Sequence, residues 1–198
     1  MQKFEEQKFV IPELKGISKK TIEEHLKLYA GYVKNTNLVL EKLDEYAQDS
    51  EKNSYALDAI RRRFSFEFDG MRNHEYYFKS FEDGAKGLPS GSDLKKAVEA
   101  EWGSWDTAMM RFKAIALTRG IGWVIMSYDS HSGRLVLNWT DEQHLGHLLG
   151  THPVLMLDMW EHSYLFDYVP ADKKKYVEAF FENVNWEVIE NNFKKATK

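Results

Sequence analysis

The sequence has no cysteine and no long uninterrupted run of apolar residues. Without cysteine, disulfides, iron–sulfur clusters and thiolate chemistry are excluded, so any bound metal must use nitrogen and oxygen ligands. Without about 18 consecutive apolar residues, a membrane-spanning helix is not expected. The sequence also lacks a large excess of charge of either sign, because it has 27 basic and 31 acidic residues and a net charge of −4. This balance argues against general nucleic-acid binding.

Motifs of several enzyme classes are missing as well. There is no GxGxxG or phosphate-binding loop, no HExxH, and no pair of ExxH motifs of the kind found in ferritin-like di-iron bundles. The first residues, MQKFEEQKFVIPELKG, carry charges where a signal peptide would be apolar. Of the 198 residues, 43% are apolar, enough for a full core. We therefore expect a globular protein of the cytoplasm.

The first half of the chain has helical periodicity. Residues 17–48 and 55–84 are apolar at roughly helical spacing, and a short polar stretch joins them, which predicts a helical hairpin. Ser18 is a plausible N-cap of the first helix. Gly70 is expected to interrupt the second segment, leaving either two helices or one helix with a break. The Gly/Pro/Ser-rich stretch around Pro89 is the expected boundary between two domains, residues 1–88 and 89–198.

Beyond this boundary, short strands stand between helical segments. Ser92 or Asp93 can cap one helix, and Ser104 can start another. The segments IGWVIMSYD and GRLVLNWT are rich in β-branched and aromatic residues and flank the turn DSHSG, which predicts a β-hairpin. PVLMLD could add a third strand, and two helical segments end the chain. The predicted fold class is α+β, a long helical hairpin followed by a domain with a small, mainly antiparallel sheet.

Metal-ligand residue types stand where the pattern indicates burial. In VLMLDMWEHSYLFDY, Asp158 and His162 directly follow an apolar run, where an unpaired charge would be costly. His25 and His74 lie among aromatic residues on the two predicted helices, and each taken alone is more often a hydrogen-bonded core residue. If all four converge, three imidazoles and one carboxylate suit iron or manganese. An alternative metal cluster is His144, His147 and His152.

Together these segments resemble the iron/manganese superoxide dismutase family over nearly the whole chain. LDMWEHSY is similar to the family signature LDVWEHAYY, NHEYYF to NHSLFW, GIGWVIM to GSGWAWL, and NVNWEVI to VVNWDE, in the family order. The resemblance implies a helical hairpin followed by an α/β domain with a three-stranded antiparallel sheet. It also implies an antioxidant enzyme that converts superoxide to oxygen and hydrogen peroxide. The alternative is a divergent metal-binding or structural relative without useful turnover.

The resemblance further implies roles for individual residues. One iron or manganese ion per subunit would be bound by His25, His74, Asp158 and His162. Around this ion, Trp123 and Trp160 would line the site, Tyr32 would line the access funnel, and Gln143 would hydrogen-bond the solvent on the metal, with His144 as the alternative. Glu161 would contact His162 of the partner subunit, so a homodimer is implied.

The first helix departs from the family pattern H-x3-H-x3-Y. His25 precedes Tyr32 by seven residues instead of eight, and the middle histidine is missing. Positions i and i+7 differ by only about 20° around a regular helix, so we expect His25 and Tyr32 to share one face. A competing alignment with the family puts Glu24 at the metal. We disfavour this alignment because a second carboxylate would lower the net charge of the metal site. Leu165 replaces the signature's second tyrosine, and Lys173 stands nearest to the place of the funnel arginine.

Overall fold

The computed structural model describes residues 2–198, and its first half is a helical hairpin. Helix α1 spans Lys19–Ala47 and helix α2 spans Ser54–Lys79. Ser18 caps α1, as predicted, by accepting a hydrogen bond from the Thr21 N–H. The two helices run antiparallel, since His25 contacts Phe78 whereas Tyr32, further along α1, contacts Phe66, earlier in α2. The predicted hairpin is therefore confirmed.

The predicted interruption at Gly70 is wrong, because α2 is continuous through this residue. A Cβ atom at position 70 would lie 2.5 Å from Cδ1 of Tyr32. Glycine is thus needed here because the tyrosine ring packs directly on the backbone of α2, and not because the helix ends. Helix α1 is also continuous, with no irregular turn between His25 and Tyr32.

Four shorter helices flank the sheet within residues 2–198. Ser92 and Ser104 cap the first two of them, by accepting hydrogen bonds from the N–H groups of Lys95 and Thr107. The helices are α3 (Asp93–Trp102), α4 (Trp105–Ala116), α5 (Lys173–Asn183) and α6 (Trp186–Ala196). Residues 80–92 connect the hairpin to α3. The domain boundary between residues 88 and 89 stays a prediction.

The sheet is three-stranded and antiparallel in the described part of the chain, in the order β2-β1-β3. The strands are β1 (Gly122–Asp129), β2 (Arg134–Asp141) and β3 (Thr151–Asp158). The central strand β1 is buried along most of its length, and its residue Trp123 pairs with Thr140 on one side and Asp158 on the other. This register places the carboxylate at the end of β3 beside the tryptophan at the start of β1.

Aromatic side chains fill the space between the hairpin and the sheet. Tyr77 and Phe78 of α2 are fully buried, as are Trp123 of β1 and Phe180 of α5. Tyr77 lies parallel to Phe180, with ring centroids 5.9 Å apart. The core therefore joins both halves of the chain. Among residues 2–198, no helix combines the length and apolar character that a membrane crossing requires.

Candidate metal centre

Helices α1 and α2, the end of β3 and the short 3-10 helix after it bring together four side chains of the types that bind metals. One ligand atom each from His25, His74, Asp158 and His162 lies within 4.8 Å of all the others. Oδ2 of Asp158 is 3.1 Å from Nε2 of His25, 3.2 Å from Nε2 of His162 and 3.7 Å from Nε2 of His74. Three of these side chains are fully buried, and 21% of His162 is exposed. A metal ion can reach all four donors at once.

Hydrogen bonds around Asp158 fix the direction of its carboxylate. The N–H of Trp160 donates to Oδ1 over 2.8 Å, which leaves Oδ2 facing the three imidazoles. The Tyr176 hydroxyl donates to the main-chain carbonyl of Asp158 over 2.9 Å. The chain then turns into a short 3-10 helix, Glu161–Ser163, so His162 returns to the carboxylate four residues later.

His74 is held in one tautomer by the helix that carries it. Its Nδ1 lies 2.5 Å from the carbonyl oxygen of Gly70, and because a carbonyl only accepts, Nδ1 carries the proton. The neutral ring then presents a lone pair at Nε2, which is buried without a hydrogen-bond partner in residues 2–198. This lone pair faces the Asp158 carboxylate, another electron-rich group. A cation between them would satisfy both.

The protonation states of the buried groups suit a metal ion. Burial, together with the neighbouring His25, lowers the pKa of His74 to about 3, so its ring is neutral at physiological pH. Burial also lowers the pKa of His25. Burial raises the pKa of Asp158, but His162 and His25 lower it by more than burial raises it. The pKa of Asp158 therefore lies below its usual value. Neutral imidazoles and a charged carboxylate are the ligand forms that metals bind.

The first helix places His25, and not Glu24, at this centre. His25 is fully buried, with its ring centroid 4.9 Å from that of His74. The Glu24 side chain is 43% exposed and pairs with Lys27 over 2.7 Å. Tyr32 lies on the same face as His25, with its ring 5.0 Å from that of His74. The continuous α1 therefore presents residues 25 and 32 together, as the seven-residue spacing predicted.

A hydrogen-bonded chain lies beside the four ligands. Nε1–H of Trp123 donates to Oε1 of Gln143 over 2.9 Å, and Nε2 of Gln143 donates to the Tyr32 hydroxyl oxygen over 3.0 Å. Since an indole N–H only donates, this chain fixes the orientation of the Gln143 amide. Burial raises the pKa of Tyr32, as do the nearby charges of Asp158 and Glu67, so its hydroxyl keeps its proton. Trp123 and Gln143 are both fully buried.

The outer edge of the centre carries Trp160 and Glu161. The Trp160 ring stacks on His162 with centroids 5.7 Å apart, and its Nε1–H donates to the carbonyl of Glu142 over 3.0 Å. Glu161 is exposed at the start of the 3-10 helix. Lys173 donates to the carbonyl of Thr118 over 3.0 Å and is half-buried.

The alternative histidine cluster does not form in the part of the chain that the structure describes, where the four-residue group above is the single one of its kind. His144 packs against Phe66, with ring centroids 5.6 Å apart. His147 bonds the main-chain oxygen of Gln143, and His152 is exposed on β3. The loop after β2 and the start of β3 place these three side chains in different surroundings, so their closeness in sequence does not bring them together.

Some residues of the centre have no distinctive sequence pattern. Gly70 acts through its carbonyl oxygen and its missing side chain, and Tyr176 and Asn73 bond main-chain oxygens of Asp158 and Gln143. Residue types alone do not indicate such contacts, because any amide or hydroxyl could make them.

Comparison with known proteins identifies one family in both halves of the chain. Residues 13–82 match the alpha-hairpin domain of the iron/manganese superoxide dismutases, and residues 89–192 match their C-terminal domain. The chain belongs to the iron/manganese superoxide dismutases. Membership gives the activity, the dismutation of superoxide, and the cofactor, one iron or manganese ion per subunit, which the four-residue cluster is able to bind.

Relatives named for each of the two metals match this dismutase. It is 37% identical over 190 residues to a superoxide dismutase [Fe] of Aquifex aeolicus (strain VF5), covering 93% of this chain and 88% of the relative. It is 37% identical over 188 residues to a superoxide dismutase [Fe] of Cupriavidus metallidurans, covering 93% and 92%. A superoxide dismutase [Mn] of Mycolicibacterium fortuitum is 34% identical over 174 residues, covering 87% and 82%.

Proposed function

We propose that His25, His74, Asp158 and His162 bind the iron or manganese ion at which this dismutase works. The observation that carries the proposal is the buried lone pair on Nε2 of His74, which faces the Asp158 carboxylate with no proton between them. When bound, the ion supplies the one-electron redox change that turns one superoxide into oxygen and, with two protons, a second into hydrogen peroxide. The four donors are hard nitrogen and oxygen ligands, which suit either metal.

We further propose that Gln143 and Tyr32 govern the protons of the reaction. One N–H of the Gln143 amide goes to Tyr32, and the other has no acceptor within residues 2–198, so it is available to a solvent molecule at the centre. Tyr32 accepts from Gln143 and keeps its own O–H proton as a donor. Trp123 holds the amide in this orientation. His144 packs on Phe66 instead, which favours Gln143 over His144 for this role.

The function test compares the same substitution at two histidines. His74→Gln removes a buried proposed ligand, whereas His152→Gln alters an exposed histidine of the alternative cluster. We expect about one iron or manganese per subunit and superoxide dismutation in the natural protein and in His152→Gln, and loss of both in His74→Gln. Metal analysis beside a dismutation assay provides the measurement. Retention of metal and activity in His74→Gln would reject the assignment.

A homodimer built around His162 is also part of the proposal. His162 lies in a cavity of about 530 Å³ whose other lining residues are Glu24, Leu28, Leu165 and Phe166. Leu28, Leu165 and Phe166 are 43%, 45% and 52% exposed, so they form an apolar patch around a proposed ligand. No hydrogen bond to Nδ1 of His162 forms within residues 2–198, and the neighbouring Glu161 is exposed. Two-fold symmetry would let Glu161 accept from His162 of the partner subunit.

The dimer is tested by charging the patch. Leu165→Glu would place one carboxylate from each subunit in the apolar contact, so we expect this variant to be a monomer. Leu149→Glu is the control, because Leu149 lies elsewhere and is 99% exposed. Glu161→Ala should loosen both the dimer and the metal, because His162 of the partner subunit then loses its acceptor. Sedimentation at several concentrations measures assembly. A Leu165→Glu variant that stays dimeric would reject this surface.

We also propose that the protein acts as an antioxidant in the cytoplasm. Dismutation removes superoxide, which supports this role. Cell fractionation tests the compartment, and growth under superoxide stress tests the role, with the His74→Gln variant as the inactive reference. Recovery of the protein outside the cytoplasmic fraction would reject the location.

A further inference from the structure

The main-chain oxygen of Gln143 accepts two side-chain hydrogen bonds. Nδ2 of Asn73 donates over 2.9 Å, and Nε2 of His147 lies at 3.2 Å from the same oxygen. Because a carbonyl only accepts, the His147 nitrogen at this contact carries a proton. A carbonyl oxygen has two lone pairs, and both are used here. Neither donor belongs to the ligands or to the chain from Trp123 to Tyr32.

Asn73 reaches the turn around Gln143 from α2, and His147 follows it directly in the same loop. The turn is also held through Glu142, whose N–H donates to the carbonyl of Ile121 over 3.3 Å and whose carbonyl accepts from Nε1–H of Trp160 over 3.0 Å. Residues 141–146 fold back on themselves, with the N–H of Asp141 bonded to the carbonyl of Leu145 over 2.8 Å and the reverse bond at 3.1 Å. Glu142 has a φ of 51°, a left-handed conformation that costs energy for a non-glycine residue. A strained turn keeps its shape only when its surroundings hold it, and Gln143 lies at its centre.

We propose that Asn73 and His147 are positioning residues that set the distance of the Gln143 amide from the metal ligands. Asn73 is next to the ligand His74 in α2 and is almost fully buried. One hydrogen bond from Asn73 therefore connects Gln143 to the helix that carries this ligand. His147 holds the same oxygen from the solvent side, where it lines a pocket with Asp69. The inference rests on the role proposed above for Gln143.

The two anchors differ in how they can be tested. Asn73 is buried beside a ligand, so its replacement would disturb the centre directly. His147 is only half-buried, and its replacement leaves the ligands and the core in place. His147→Gln keeps an N–H donor of similar reach, His147→Ala removes it, and His152→Ala serves as the control for loss of a histidine elsewhere in the same region.

The first measurement uses metal-free protein, so it does not depend on activity. Amide hydrogen exchange of residues 141–147 should become roughly fivefold faster in His147→Ala, the factor that loss of one ordinary hydrogen bond produces. Exchange should return towards the natural rate in His147→Gln and stay unchanged in His152→Ala. Unchanged exchange in His147→Ala would overturn the anchoring.

The second measurement is the midpoint potential of the protein loaded with iron or manganese. We expect His147→Ala to shift the potential in the same direction as Gln143→Ala but by less, and His147→Gln to restore it. A purely structural histidine would not show this pattern. If Gln143→Ala shifts the potential and His147→Ala does not, the positioning role is wrong. If Gln143→Ala itself leaves the potential unchanged, the proposed role of Gln143 fails, while the exchange rates still report on the anchoring.

Discussion

Replacing Gly70 by alanine should disturb the packing of Tyr32 without touching a ligand side chain. The new Cβ would lie 2.5 Å from Cδ1 and 2.7 Å from Cε1 of Tyr32. Carbon atoms in good contact are about 3.5–4.0 Å apart, so the ring or one helix must move by roughly 1 Å. A movement of that size would stretch the 3.0 Å bond between Tyr32 and Gln143.

The size of the effect follows from two opposing contributions. Alanine is more stable than glycine inside a helix by about 0.5–1 kcal/mol, whereas overpacking costs about 1–3 kcal/mol. Gly31 of α1 is a matched control, because a Cβ there would have no atom within 4 Å. We therefore expect Gly31→Ala to be stabilised by about 0.5–1 kcal/mol and Gly70→Ala to be less stable than Gly31→Ala by about 1–3 kcal/mol.

Urea unfolding of the metal-free variants, followed by far-UV circular dichroism at one protein concentration, measures this difference. Both substitutions change a helical glycine to alanine, so their gain in helix propensity cancels in the comparison. Equal unfolding midpoints for the two variants would refute the close packing of Tyr32 on α2.

Three further predictions follow from the described contacts. His25→Ala should abolish metal binding and Glu24→Ala should leave it intact, which metal analysis of both variants decides. Since the pKa of His74 is about 3 instead of 6.5, the unfolded metal-free chain binds a proton that the folded one does not. Its stability should thus fall below about pH 6.5, by up to about 1.4 kcal/mol per pH unit, and a flat urea midpoint between pH 7.5 and 5 would contradict this. The buried Glu190 accepts from Ser92 and from two N–H groups at the start of α3, so Glu190→Ala should cost about 1–3 kcal/mol in thermal unfolding.

The sequence predicted the elements of the fold because their causes are local. Ser18 and Ser104 cap helices through their own side chains, and the short polar turn of residues 130–133 joins β1 to β2. Gly70 misled the prediction because glycine serves two purposes, ending a helix or admitting a close neighbour. Only the position of Tyr32 on the facing helix distinguishes them, and that depends on tertiary packing.

For the same reason, only some residues of the candidate site could be predicted from the sequence. The resemblance named all four clustered residues, because a signature such as LDMWEHSY keeps residue types in fixed order. It did not name Gly70, Asn73 or His147, whose contacts involve main-chain oxygens of residues close to the centre. The bond from Asn73 depends on how α2 packs against the loop after β2, and residue types alone do not specify that packing. The contacts of Gly70 and His147 are local, but they involve main-chain oxygens, which every residue type carries.

Anomalous diffraction from crystals of the purified protein, recorded at the iron and manganese absorption edges, identifies the metal and locates it among the histidines. We expect one strong peak per subunit, bonded to His25, His74, Asp158 and His162, in protein that dismutates superoxide. A peak beside His144, His147 or His152, or no peak near Asp158 in active protein, would contradict it.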